Sequence, residues 1–294
     1  MASAFRRKKG DVMTSHYIVG GGGTRLHVLE TGNPDGHPIL FIHGFSQCGL
    51  CWSRQLNSDL ATDHRLVAMD LRGHGQSDKP REAYADSKLW ADDVNAVLQS
   101  LDLDQAVLSG WSYGPLVILD YIRHYGEQAI GGMQFIGGIS KLGSEEALSV
   151  LTPEFLGIVS GLLSEDAEES AHALEGLIDL AIASSLSAQE RDLMLGWNVS
   201  VPPHVRQALF ARAFDNDDLL RSIRKPVLLT HSTVETIVKP VVVDQHTALV
   251  PHAQVQWTSE TGHAPFWDQA AAFNQRLREF VAHARTSALA QVAT

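Results

Sequence analysis

The amino-acid sequence predicts an α/β fold, a mostly parallel eight-stranded sheet flanked by helices, and three observations carry the prediction. Unbroken apolar runs such as Pro38 to Ile42 have the character of strands buried on both faces, as parallel sheets require. Segments of helical period alternate with such runs, the clearest being Ser87 to Leu101, with apolar residues at 90, 94, 97, 98 and 101 and Ser87 as the expected N-cap. The alternation then breaks from Ser144 to Asp218, where only helical spacing is found, so an all-helical insertion is expected between two parts of the sheet.

In order, His16 to Thr31 reads as a hairpin around the glycine turn 20–23, and Pro38 to Ile42 and Arg65 to Met69 as strands. Next comes QAVLSGWSYG, residues 105–114: an apolar strand enters Gly110-Trp111-Ser112-Tyr113-Gly114 and the helix-compatible PLVILDYIRHY follows, with Gly126 as its stop. This is G-x-S-x-G in a strand, turn and helix context, where a serine held in a strained turn needs small residues two before and two after it. Ile130 to Ile139 is read as the sixth strand. In the insertion, Leu148, Leu151, Phe155, Leu156, Val159, Leu162 and Leu163 recur at helical spacing, as do Leu174, Leu177, Ile178, Ala181 and Ile182, giving four or five helices. Lys225 to Thr230 and Gln254 to Thr258 are the last two strands, and Phe266 to Ala284 the closing helix.

The organisation expected is therefore a tail over 1–15, a core over 16–143 and 219–284, a helical cap over 144–218, and a tail over 285–294. A net charge of −11 over 294 residues argues against nucleic-acid and anionic-membrane partners. The sequence has no 18-residue apolar run, and the basic start MASAFRRKKGDVM lacks the apolar segment of a secretory signal, so a cytoplasmic location is expected. Two cysteines give no disulfide framework. Cys48-Gly49-Leu50-Cys51 raises a redox or metal alternative, opposed by the absence of further soft ligands and by a chain far larger than a redox domain of that type. No cofactor and no metal are expected; a homodimer is left open.

The run D-L-R-G-H-G-Q-S-D-K-P at 70–80, the H-G-F at 43–45, Trp52 and the elbow G-W-S-Y-G stand in an order and spacing that resemble the α/β-hydrolase superfamily, in its esterase, cofactor-free haloperoxidase and meta-cleavage hydrolase branches. The resemblance spans about 16–140 and 222–284. It implies an α/β-hydrolase fold with the cap inserted after the sixth strand, covering the elbow and choosing the substrate. Arg72 and Asp78 are read as structural pins.

The resemblance also implies roles for residues. Ser112 is the nucleophile, with oxyanion-hole N–H groups from Phe45, after the third strand, and Tyr113, after the nucleophile. The segment His231-Ser-Thr-Val-Glu235-Thr-Ile-Val-Lys-Pro240 stands where the family writes H-G-x-x-D-x-x-V-x-P, so Ser232 replaces glycine and Glu235 replaces aspartate. His263, in the turn Thr261 to Pro265 after the last strand, is the base, and the chain order Ser112, Glu235, His263 is that of the superfamily. An alternative acid site after the sixth strand, GGISKLG, holds no carboxylate. His43 is read first as a turn residue, and is grouped with Trp111, Trp197 and Phe210 as residues bordering a substrate pocket; for Trp197 and Phe210 the alternative is packing between cap and core. A serine nucleophile argues against the dehalogenase and epoxide hydrolase branches, which use aspartate. The function expected is hydrolysis of a small or medium apolar ester as small-molecule substrate. Lactonase, perhydrolase and carbon–carbon hydrolase chemistry are alternatives on the same site, and a non-catalytic small-ligand receptor is the alternative of another class.

Overall fold

The computed structural model describes residues 13–292, with side chains to residue 287. Eight strands form one sheet: β1 Thr14–Val19, β2 Arg25–Gly32, β3 His37–Ile42, β4 His64–Met69, β5 Ala106–Trp111, β6 Ile130–Ile136, β7 Val227–Ser232 and β8 Gln254–Thr258. Their order is β1-β2-β4-β3-β5-β6-β7-β8. β2 pairs antiparallel with β1 and with β4, and every other pairing is parallel. β3 and β5 are side by side, Ile42 opposite Gly110, although β4 lies between them in sequence. Their carboxyl ends therefore flank the point where the strand order reverses, the place where open α/β sheets put their ligands.

The inner parallel strands are rich in apolar residues because both faces are covered, Leu40, Phe41, Val67 and Leu108 being fully buried, whereas the edge strand β8 is partly exposed. Helices α1 (Ser87–Ser100) and α2 (Gly114–Tyr125) pack against each other, and a long helix, Ala270–Val292, is the last element of the described residues. Among the described residues no helix is long and apolar enough to cross a membrane.

Four local expectations are corrected. β1 begins at Thr14, so residues 13–15 do not belong to the tail: Thr14 pairs with Glu30, and Ser15 Oγ meets His27 Nε2 at 2.7 Å. Residues 1–12 lie outside the described residues. The closing helix, expected from Phe266 to Ala284, begins instead at Ala270 after a separate short helix Pro265–Asp268, and it runs on to Val292, because Ala270 to Val292 contains neither glycine nor proline to stop it; of the expected second tail, only 293–294 lie outside the described residues. The N-cap of α1 is Asp86, whose carboxylate accepts from Lys88 N–H at 2.9 Å, one residue before the expected Ser87. β6 ends at Ile136 rather than Ile139, which moves Gly137 out of the sheet and toward the site.

The segment between β6 and β7 enters and leaves through a short antiparallel ribbon, Lys141–Leu142 with Phe214–Asp215. It carries a short helix, Glu145–Ser149, then α3 Pro153–Leu162, α4 Ala167–Ala181, α5 Ala188–Val199 and α6 Pro203–Phe210, each of these four starting at a cap residue or proline that suits a helix N-terminus. Beyond α6, Arg212 reaches back into the core: it donates to Asp120 Oδ2 on α2 at 2.6 Å and to the Tyr113 hydroxyl at 3.1 Å. The insertion is thus tied to the residue that follows Ser112.

Arg72 is fully buried and forms a two-point pair with Asp93, Nε to Oδ2 and Nη2 to Oδ1, both 2.7 Å. Nη1 donates to Ala83 O, Nη2 is also within 3.0 Å of the carbonyls of Gly21 and Leu89, and Asp93 Oδ1 also accepts from Gly21 N–H. One ion pair therefore joins the β1–β2 turn, the 70–80 loop and α1. Removing one member strands a charge without water. Asp93→Ala is expected to cost about 3–5 kcal/mol, read as a lowered urea midpoint. Asp93→Asn, which keeps an acceptor oxygen, is expected to cost less.

Candidate active site

Ser112 stands at the turn between β5 and α2 with φ 58°, a left-handed conformation that costs a non-glycine residue energy and persists because its surroundings hold it. Ser112 N–H donates to Ile136 O at 2.8 Å. Neither flanking glycine leaves room for a methyl group: a Cβ on Gly110 would sit 2.8 Å from Pro115 N, and one on Gly114 would sit 2.5 Å from Ile42 O. Gly114 thus lets the backbone of the elbow approach Ile42 at the end of the third strand closely.

Across the sheet ends, His263 Nδ1 faces Glu235 Oε2 at 3.0 Å, with both side chains almost wholly buried. The other carboxylate oxygen, Oε1, accepts from the N–H groups of Thr236 (3.0 Å), Ile237 (2.9 Å) and Val238 (3.4 Å). Burial by itself would raise the Glu235 carboxyl, but the facing His263, the nearby His231 and the Ile237 N–H outweigh it and hold the group below its ordinary value of 4.5. A carboxylate so fixed accepts from an Nδ1–H, leaving Nε2 as the free lone pair, and His263 Nε2 is buried with no partner among the described residues. Ser112 and His263 line the same cavity.

Gly137 and Asp268, which sequence reading did not single out, hold this pair in place together with Ser232, which it did. Gly137, with φ 50°, lies directly beneath the imidazole: a Cβ there would be 2.7 Å from His263 Nδ1 and 3.3 Å from Glu235 Oε2. Ser232 Oγ donates to Thr261 O at 2.6 Å, so the serine that departs from the family pattern joins the acid loop to the histidine loop. Asp268 accepts from Gly262 N–H at 2.8 Å and from Ser184 N–H at 2.9 Å, joining the histidine loop to the insertion. The repeated glycines at 137–138 were a visible signal for the first; nothing local marked Asp268.

The N–H groups of Phe45 and Tyr113 have no hydrogen-bond partner among the described residues, and both residues wall a cavity that contains Ser112. His43, expected to border the pocket, does not: fully buried, it donates from Nδ1 to Gly44 O (2.8 Å) and accepts Leu71 N–H at Nε2 (3.0 Å). Burial lowers it to about 4, so it is a neutral pin between two loops. Trp111 does border the Ser112 cavity and donates from its indole to His263 O at 2.8 Å. Phe210 packs edge-on to Phe45, ring centroids 5.0 Å apart, on the Tyr113 side. Trp197 does not reach the cavities at Ser112; it lines a third one behind Trp111.

Two apolar cavities meet at Ser112. One includes His263, Gly44, Gln47 and Trp111; the other includes Tyr113, Ile139, Leu142 and Phe210. Phe45, Phe155 and Ile237 wall both. Cys48 and Cys51 are free and buried, and burial pushes both thiols well up, which leaves them poor nucleophiles and poor metal ligands at neutral pH.

Residues 37–270 match the family described as the alpha/beta hydrolase fold, and the chain belongs to that family. Within it, the chain falls in the esterase- and haloperoxidase-like branch. It is 36% identical to the esterase RhEst1 from Rhodococcus sp. ECU1013, with a TM-score of 0.87 over 92% of this chain and 99% of that one. It is 28% identical to Est816, an N-acyl homoserine lactone degrading enzyme, with a TM-score of 0.72 over 90% of this chain and 99% of that one. It is 24% identical over 257 residues to the non-heme chloroperoxidase CPO-A1 of Kitasatospora aureofaciens, covering 84% of this chain and 92% of that protein.

Proposed function

We propose that the protein hydrolyses small to medium apolar carboxylic esters through an acyl-enzyme on Ser112. The observation that carries this is the unpartnered His263 Nε2 beside a strained Ser112, with Glu235 fixing the imidazole from the opposite side. Nε2 takes the hydroxyl proton as Ser112 Oγ attacks the ester carbonyl, since an unassisted hydroxyl is a weak nucleophile. The Phe45 and Tyr113 N–H groups receive the oxyanion; losing one such donor in a comparable site costs about 3 kcal/mol. Glu235 stabilises the imidazolium. His263 then gives its proton to the departing alcohol oxygen, and a water activated by the same nitrogen releases the acid.

The proton's path sorts the two cavities. The alcohol must leave beside His263, so it occupies the cavity that His263 lines, and the acyl group occupies the one walled by Phe210. The insertion acts as a cap, since Phe155 and Phe210 belong to it. Esters with two apolar halves suit such walls, since among the described residues neither cavity is lined by an Asp, Glu, Lys or Arg side chain.

Lactone hydrolysis is the second reading, favoured by the 28% identity to Est816. A panel of p-nitrophenyl esters of increasing acyl length, run beside lactones and a meta-cleavage product, tests the assignment: turnover of esters above the others supports it, and turnover of lactones or the carbon–carbon substrate alone overturns it. In the same panel, Phe210→Ala is expected to change kcat/KM for long relative to short acyl chains by roughly 10-fold or more, since a methylene's worth of pocket contact is about 1–3 kcal/mol. Uniform loss with a lowered melting temperature would assign Phe210 to packing alone.

A further inference from the structure

Behind Trp111 is a third cavity, lined by Met194, Trp197, Phe266 and Trp267 among others. It shares Gln47, Trp111 and Ala181 as walls with the cavity that holds His263, so it continues that side of the site and not the Phe210 side. Gln47 stands at the junction, its amide donating to Asn198 Oδ1 on α5 at 3.2 Å.

The walls of this chamber are apolar apart from the Gln47 amide and two indole N–H groups. Trp197 and Trp267 are 7% and 4% exposed, and the indole nitrogen of each is buried with no hydrogen-bond partner among the described residues. Trp111, the third indole on the wall, already donates to His263 O. A buried N–H that forfeits its bond to water without replacing it is destabilising, and the usual resolution is an acceptor brought by a ligand or an ordered water. Two idle donors carried by residues that wall an apolar chamber suit a chain that is hydrocarbon along its length and carries an acceptor oxygen near its tip.

The geometry points to a second substrate subsite, formed by the Trp197 and Trp267 chamber, that takes the distal part of the alcohol half of the ester, an alkyl chain ending in an ether or carbonyl oxygen. This rests on the ester-hydrolase reading and extends it: His263 must protonate the leaving oxygen, so the group bonded to that oxygen is the one directed past Gln47 and Ala181 into the chamber. The acyl half, on the Phe210 side, has no access to these indoles.

Three acetates with one acyl group and different alcohols test it: ethyl, hexyl and 4-methoxybutyl acetate, the last two equal in chain length. We expect kcat/KM to rise at least about 10-fold from ethyl to hexyl, from apolar contact, and a further two- to tenfold from hexyl to 4-methoxybutyl, from the donor–acceptor pair. In Trp197→Phe and Trp267→Phe the methoxybutyl-to-hexyl ratio should fall toward one, while Trp257→Phe, on the exposed face of β8, should keep it. No dependence on alcohol length, or the same ratio in all variants, overturns the subsite while leaving the ester reading intact. Should none of the esters turn over, the ester reading fails separately, and binding of the free alcohols followed by tryptophan fluorescence decides the chamber. Tighter binding of 4-methoxybutanol than hexanol, lost in the two Trp→Phe variants, supports it, and equal or absent binding overturns it.

Discussion

Ser112→Ala is expected to lower kcat on the best p-nitrophenyl ester by about six orders of magnitude, the scale on which removal of a serine nucleophile acts in comparable sites. The fold should be unaffected. Alanine, like serine, carries a Cβ, so the strain at φ 58° is the same in both, and the Ser112 N–H bond to Ile136 O is made by backbone. No hydrogen bond of the Ser112 hydroxyl to another described side chain is lost. A melting temperature unchanged beside a rate near background would separate chemistry from stability. Incubation of the parent protein with an organophosphonate should add a single adduct mass, mapped by peptide analysis to Ser112, and the alanine variant should remain unlabelled. Turnover that survives the substitution would remove Ser112 from the chemistry and favour a ligand-binding role or a reaction run by His263 alone.

What the sequence could reveal follows from how local each signal is. Strands buried on both faces are continuous apolar runs, and β3, β4 and β5 were legible for that reason. The elbow was legible because its steric demand falls two residues either side of Ser112, where a glycine is needed against Pro115 and Ile42. Helix ends were less so: Asp86 and Ser87 are both good caps, and only the Lys88 N–H contact distinguishes them. The walls of the site were hardest to read. Phe155 stood out for its helical spacing, yet its place over Ser112 depends on how the insertion folds back, and the paired ribbon and the Arg212 to Asp120 contact that fix this join residues 70 or more positions apart. His43 shows the converse, a histidine in a telling motif whose two nitrogens are both spent on backbone.

Glu235→Gln is the second substitution with a large expected effect, a fall in kcat of about 10⁴ with the fold retained. The argument rests on orientation. Three backbone N–H groups, from Thr236, Ile237 and Val238, point at Oε1. A glutamine must turn its oxygen toward those donors and hence its NH2 toward His263 Nδ1. An NH2 there can only donate, so Nδ1 becomes the acceptor and the ring proton moves to Nε2, the nitrogen that must be free to take a proton from Ser112. The amide also cannot stabilise an imidazolium. Glu235→Asp keeps the charge but is one methylene short of spanning both Oε1 donors and His263, and an intermediate rate is expected. Because the folded protein holds the Glu235 carboxyl below 4.5, this group contributes stability at pH values above its unfolded pKa, and that contribution is lost only as pH falls through the lowered folded value. An acid limb in the activity profile between pH 5 and 8 would therefore belong to another group, and should persist in the Glu235→Asp variant. Asp244, the nearest downstream carboxylate, is exposed on the helix Val241–Leu249, and Asp244→Asn should leave kcat unchanged. Near-parental activity in Glu235→Gln, together with an inactive Asp244→Asn, would reverse the assignment, and parental activity in both would leave a Ser112 and His263 dyad as the working pair.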